Sequence, residues 1–139
     1  MIEALNYVRV TGDRERPRLV GVQSRHEIAG LGALLCQHAG PVEYKRCFEN
    51  ATMLAARVPG VSYVEGEVWQ PRLQMPVDHA WNSINGHFFD LTWEMYQGLQ
   101  PEHQYYAIIE GSIVGLVAEG FDPSRTRCLL HQLINKRLN

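Results

Sequence analysis

The sequence predicts an α+β domain, a mainly antiparallel sheet packed against two or three helices, and three observations predict it. Apolar residues recur at three- and four-residue spacing from Ile28 to Leu35 and from Phe48 to Val58, the spacing of one helix face. From Val61 the period changes to two and runs on to Trp69, as a β-branched and aromatic strand should. Finally, Asn85-Gly86 stands between two strand-like runs, the strongest short-range signal for a two-residue hairpin turn.

Each element can be justified in order. Tyr7-Val8-Arg9-Val10 and Leu19-Val20-Gly21-Val22 read as strands flanking the polar loop Thr11 to Arg18. Ser24, with Glu27 three residues later, reads as the N-cap of a helix whose stripe is Ile28, Leu31, Leu34 and Leu35, and Gly40-Pro41 stops it. A second helix is expected over Tyr44 to Val58, with Cys47 in its first turns and Pro59-Gly60 as its stop. Gln70 to Asp78 holds two prolines and reads as a loop. Gln104 to Ile109 reads as a strand, Ile113 to Val117 fits either a strand or a buried helix, Asp122-Pro123-Ser124 a turn, and Cys128 to Ile134 a terminal helix.

The chain has 139 residues, 45% hydrophobic and 20% charged, which suits one domain able to build a core without disulfide or metal staples. Thirteen Lys plus Arg against fifteen Asp plus Glu leave a net charge of −2, so no electrostatic field recruits nucleic acid or an anionic membrane. No apolar run approaches the roughly 18 residues of a membrane span, and the start lacks signal-peptide character, so the expected location is cytoplasmic. Three cysteines, Cys36, Cys47 and Cys128, have no CxxC spacing and suggest neither a disulfide framework nor a zinc knuckle.

The hairpin register follows by arithmetic. With Asn85 and Gly86 as the turn, Ile84 faces His87, Ser83 faces Phe88, Trp81 faces Asp90 and His79 faces Thr92. His79, Trp81, Asp90 and Thr92 then share one face, with His79 and Asp90 as diagonal neighbours at roughly 7 Å. His87 falls on the other face. On paper Cys47, Asp78, His79, His87 and Asp90 could bind a metal, but that register separates the two histidines and no local ligand pair is present, so no metal and no cofactor are expected.

Cysteine attack on an acyl carbon needs a thiolate, a base that takes and returns a proton, and a group that fixes the base. Cys47 near a helix start, with Lys45 and Arg46 beside it, is placed where the helix dipole and local charge favour the thiolate. His79 is the candidate base, and Asp90 its orienting carboxylate. Cys36 and Cys128 sit in apolar runs without a histidine to serve them and read as packing residues. Trp81 and Trp93 read as core or pocket wall, with only Trp81 on the catalytic face, Tyr105-Tyr106 as strand packing, and Asn50 as a brace of the pocket. Glu65, a carboxylate in an apolar strand, should face solvent or serve the site.

Cys47 with Asn50-Ala51, the strand Tyr63-Val64-Glu65-Gly66, His79-Ala80-Trp81 and Asp90-Leu91-Thr92-Trp93 together resemble the core of the transglutaminase-like branch of the papain-like cysteine hydrolases. The resemblance covers Cys47 to Trp93. It implies a papain-like core, Cys47 as nucleophile, His79 as general base and then acid, and Asp90 as the orienting carboxylate. The oxyanion glutamine of papain-like relatives has no counterpart in Val42 to Arg46, and the nearest upstream amide is Gln37. The expected function is a cysteine hydrolase or acyltransferase acting on an amide bond of a protein or peptide-like substrate, with protease, amidase and deamidase chemistry all open. The alternative is a binding or regulatory module that keeps the fold without catalysis.

Overall fold

Alternating β-branched and aromatic residues after Pro59-Gly60 form a ten-residue strand that becomes the centre of the sheet. The computed structural model describes residues 8–10 and 18–121. Its strands are β1 (Val8–Val10), β2 (Arg18–Val20), β3 (Val22–Gln23), β4 (Val61–Gln70), β5 (Met75–Ile84), β6 (His87–Phe89) and β7 (Gln104–Gly111). Its helices are α1 (Leu31–His38), α2 (Cys47–Arg57), α3 (Leu91–Tyr96) and α4 (Ile113–Ala118), with a 3-10 turn at Arg25–Glu27. The α+β class holds, with four helices described where two or three were expected. Among the described residues no helix is long and apolar enough to cross a membrane.

The strand order is β1-β7-β4-β5-β6-β3, and β2 also pairs with β7. All pairings are antiparallel except β3 with β6. Because only Gly21 separates β2 from β3, the stretch from Arg18 to Gln23 reaches both edges and curls the sheet closed. The expected single strand at Leu19 to Val22 is therefore two short ones with different partners.

Closure gives the sheet an inside and an outside. Val20, Val64, Val68, Trp81, Phe88, Tyr105 and Ala107 fill the inside. Outside, Ala51 of α2 and Leu116 of α4 pack on Tyr63, Ala80, Ile108 and Ile109. Further along α2, Leu54 and Val58 meet Val61, Ile84 and Phe89 with Leu31 of α1. This is the amphipathic stripe read from the sequence, turned against a sheet.

A bulge decides what β7 contributes. Glu65 pairs with Ile109 but Gly66 pairs with Ala107, so Ile108 is an extra residue in β7. Side-chain alternation shifts there, and Tyr105, Ala107 and Glu110 all reach the inner face. Gly66 is what lets the bulged strand approach: a Cβ at this position would lie 1.9 Å from the Tyr106 carbonyl oxygen.

The hairpin forms as expected at its tip. Asn85 and Gly86 take φ of 50° and 80°, as a type I′ turn requires, and Ile84 pairs with His87 and Ser83 with Phe88. Past Phe89 the expectation fails: Asp90 begins α3, so Thr92 lies in a helix and does not face His79. Other boundaries move too. Ser24 and Glu27 do form a capping box, but it closes only the 3-10 turn, and α1 starts separately after Gly30 at φ 80°. The expected loop to Asp78 ends at Gln74, and Pro76 sits within β5, paired to Trp69. That part of β5 lies beyond the end of β6, where a missing N–H costs no ladder bond. Ile113 to Val117 resolves as helix, its Ser112 N-cap accepting from the Gly115 N–H. The expected loop from Thr11, the turn at Asp122 and the terminal helix around Cys128 fall outside the described residues.

Candidate active site

Cys47 is the first residue of α2, with Arg46 at the N-cap and no side chain capping the end. The first-turn N–H groups of a helix have no partner within it, so this end presents donors and the positive pole of the dipole. Lys45 turns the chain at φ 58°. Asn50 then fixes the approach: its Oδ1 accepts the Glu43 N–H at 2.9 Å, and its Nδ2 donates to the Glu43 carbonyl at 2.8 Å and to Thr92 Oγ1 at 3.0 Å. One buried amide thus ties the loop before Cys47 to α3, the bracing role expected of it.

His79 lies on the inner face of β5, opposite Gly66. Asp90 ends the hairpin and caps α3, its Oδ1 accepting the Trp93 N–H at 3.3 Å. Its Oδ2 meets His79 Nε2 at 2.8 Å, both side chains at 2% exposure or less. Asp90 takes Nε2, which leaves Nδ1 on the side of Cys47, one of the groups that act on the charge of the imidazole. The outer packing of α2 and the inner position of His79 are compatible because β6 stops at Phe89, leaving β5 without that partner beside His79.

Two further side chains complete the surroundings. Tyr105 Oη donates to Asp90 Oδ2 at 2.6 Å. The Trp93 ring stacks on His79 with centroids 3.9 Å apart and planes inclined by 24°. α3 itself is held to the closing stretch through Glu94, which accepts from Ser24 Oγ at 3.1 Å and from the Arg25 N–H at 2.9 Å.

Burial alone would pull the His79 pKa down. The Asp90 charge and hydrogen bond, with a smaller contribution from Cys47, outweigh burial and push it up to about 9. Burial and the Asp90 carboxylate both drive the Tyr105 phenol upward, so it stays a neutral donor. On the open side, a cavity of about 520 Å³ is lined by Tyr44, Lys45, Arg46, Cys47, Phe48 and Glu49.

Cys47, His79 and Asp90 are therefore in one cluster. Glu65 is fully buried and accepts the Tyr63 hydroxyl at 2.5 Å, on the outer face away from His79; it does not face solvent. Cys36 is exposed, which corrects its reading as a packing residue. His87 is bound to Gln23 Oε1 at 2.8 Å on the far side of the hairpin, and Gln37 is exposed on α1. Among the described residues no group of three or more His, Cys, Asp or Glu is placed to hold a metal ion.

Two site residues escaped sequence reasoning. Trp93 was placed off the catalytic face because β6 was extended past Asp90; the N-cap signal of Asp90 followed by Glu94 in the first turn could have ended that strand. Tyr105 carries no such signal, since the Ile108 bulge that sets its direction has no mark in the sequence. Comparison of the chain with protein-family models, curated proteins and solved structures finds no match.

Proposed function

We propose that the protein is a cysteine-dependent hydrolase or acyltransferase acting on an amide bond, with a transglutaminase-like arrangement of Cys47, His79 and Asp90. The observation that carries the reading is a single buried imidazole held by the Asp90 carboxylate on one nitrogen, with the part-exposed Cys47 thiol among the groups that act on its charge. A charged imidazole and a helix N-terminus both lie on the Cys47 side of the site, where they can stabilise negative charge that develops during attack. The sulfur attacks the carbonyl carbon that enters through the cavity at Tyr44 to Glu49, forming the C–S bond and an oxyanion. The Cys47 backbone N–H is the donor available to that oxyanion. His79 returns its proton to the leaving amine as the C–N bond breaks. Water, deprotonated by the now neutral His79, or an acceptor amine then cleaves the thioester. Asp90 holds the ring and balances its charge throughout.

Exposed Cys36 provides an internal reference for the test. Iodoacetamide labelling followed by peptide mass spectrometry at pH 6.5 should modify Cys47 faster than Cys36 although Cys47 is less exposed. His79→Ala should reverse that order. If Cys36 reacts faster in the unmodified protein and His79→Ala changes nothing, the nucleophile assignment is wrong.

A further inference from the structure

We propose that Tyr105 is a positioning residue of this site: its hydroxyl shares Asp90 Oδ2 with His79, anchoring the carboxylate from β7 and dividing its negative charge between two donors. The inference rests on reading Cys47, His79 and Asp90 as a triad, and it adds a residue that sets how tightly the imidazole holds its proton.

Asp90 is anchored from three sides. Trp93 N–H holds Oδ1 at 3.3 Å, while His79 Nε2 at 2.8 Å and Tyr105 Oη at 2.6 Å converge on Oδ2. The phenol is the shorter of the two contacts on that oxygen, and an O–H donor to a carboxylate is among the stronger hydrogen bonds in a protein. A carboxylate that stabilises its charge on a second donor exerts less pull on the first, so His79 gives up its proton more readily than it would with Asp90 to itself. General base and general acid work both need that release to be possible near the working pH. The groups that face the imidazole are Cys47 from α2, Asp90 from the start of α3 and Tyr105 from β7. Trp81 of β5 and Trp93 of α3 contribute rings without charge, and His103 reaches the cluster only through an edge contact on Trp93 at 5.2 Å.

A purely structural tyrosine predicts the opposite sign. If the hydroxyl only kept Asp90 in place, removing it would loosen the carboxylate and weaken its hold on His79. Tyr105→Phe keeps the ring that packs edge-on against Trp81 at 5.1 Å and removes only the donor. The His79 titration, read by carbon-13 NMR of labelled histidine, should move upward by about half a pH unit to one unit. Incorporating 3-fluorotyrosine at position 105 strengthens the donor and should move it downward, and this variant keeps the hydroxyl should the phenylalanine form fail to fold. A downward shift in Tyr105→Phe, or no movement in either variant, overturns the proposal. Neither measurement needs turnover. Ordinary alkylation of Cys47 would sink the nucleophile while leaving the His79 shifts intact, so the two failures are distinguishable.

Discussion

Replacing Asp90 by Asn tests the electrostatic core of the site through stability alone. In the folded protein His79 keeps its proton up to about 9, whereas its ordinary value is 6.5. Between those values the native state binds one proton more than the unfolded chain, so stability falls as pH rises, by about 1.4 kcal/mol per pH unit. The stabilisation is complete below pH 6.5, is lost by about pH 9, and amounts to about 3 kcal/mol. Solvent screening does not reduce it much, because both side chains are at 2% exposure or less. An amide at position 90 still caps the Trp93 N–H but carries no charge. Burial then favours the neutral imidazole, and the native state no longer holds the extra proton. Urea unfolding of both proteins from pH 5.5 to 9.5 should give a stability gap that is largest at the acid end and narrows by about 3 kcal/mol toward the alkaline end. The Tyr105 phenol is pushed above its ordinary value of 10, so it titrates outside this window. A gap that stays constant or widens with pH would refute the assignment of Asp90 as the group that keeps His79 charged.

Three other substitutions have defined outcomes. Gly66→Ala forces a Cβ to within 1.9 Å of the Tyr106 carbonyl oxygen, a clash with backbone at the β7 bulge, and should cost about 3 kcal/mol or more in urea unfolding. Asn50→Ala abandons three hydrogen bonds among Glu43 and Thr92; it should cost about 2 kcal/mol and slow Cys47 alkylation, because the approach loop loses its tie to α3. Trp93→Ala uncovers the imidazole face stacked at 3.9 Å, lets water weaken the Asp90 interaction, and should bring the His79 titration down from about 9 toward 6.5 in NMR.

What could be read from the chain was local, and what could not was set by pairing between distant segments. The Asn85-Gly86 turn has its own stereochemistry, so the register of Ile84 with His87 was legible, but the strand stops at Phe89 and Asp90 reaches His79 from the N-cap of α3. The spacing of Phe48, Ala51 and Leu54 was enough to place Cys47 in the first turns of a helix expected from Tyr44, whereas the helix itself starts at Cys47. Closure of the sheet has no such signature, because Val20 and Val22 look like one strand until β7 and β6 claim them separately. The same holds for the Ile108 bulge, which depends on how β4 and β7 meet and which alone directs Tyr105 to Asp90. The Ser24 capping box was a true signal whose extent was misjudged, since left-handed Gly30 breaks the run between the 3-10 turn and α1.

Closure of the sheet also divides the site into a wet half and a dry half, and the division bears on mechanism. Cys47 stands half-exposed at the mouth of a cavity of about 520 Å³, while His79, Asp90 and Tyr105 are sealed inside the curled sheet at 5% exposure or less. Charges that interact in a dry interior act on one another far more strongly than charges in water. Arg18 to Gln23, which closes the sheet, and Trp93, which lies across the ring, exclude water and so strengthen the Asp90 interaction along with the burial cost that it outweighs. A substrate carbonyl would meet the sulfur from the cavity side and leave that enclosure undisturbed. The closing strands, more than sixty residues from Asp90 in sequence, would thus act on the proposed reaction by excluding water from its proton-holding half.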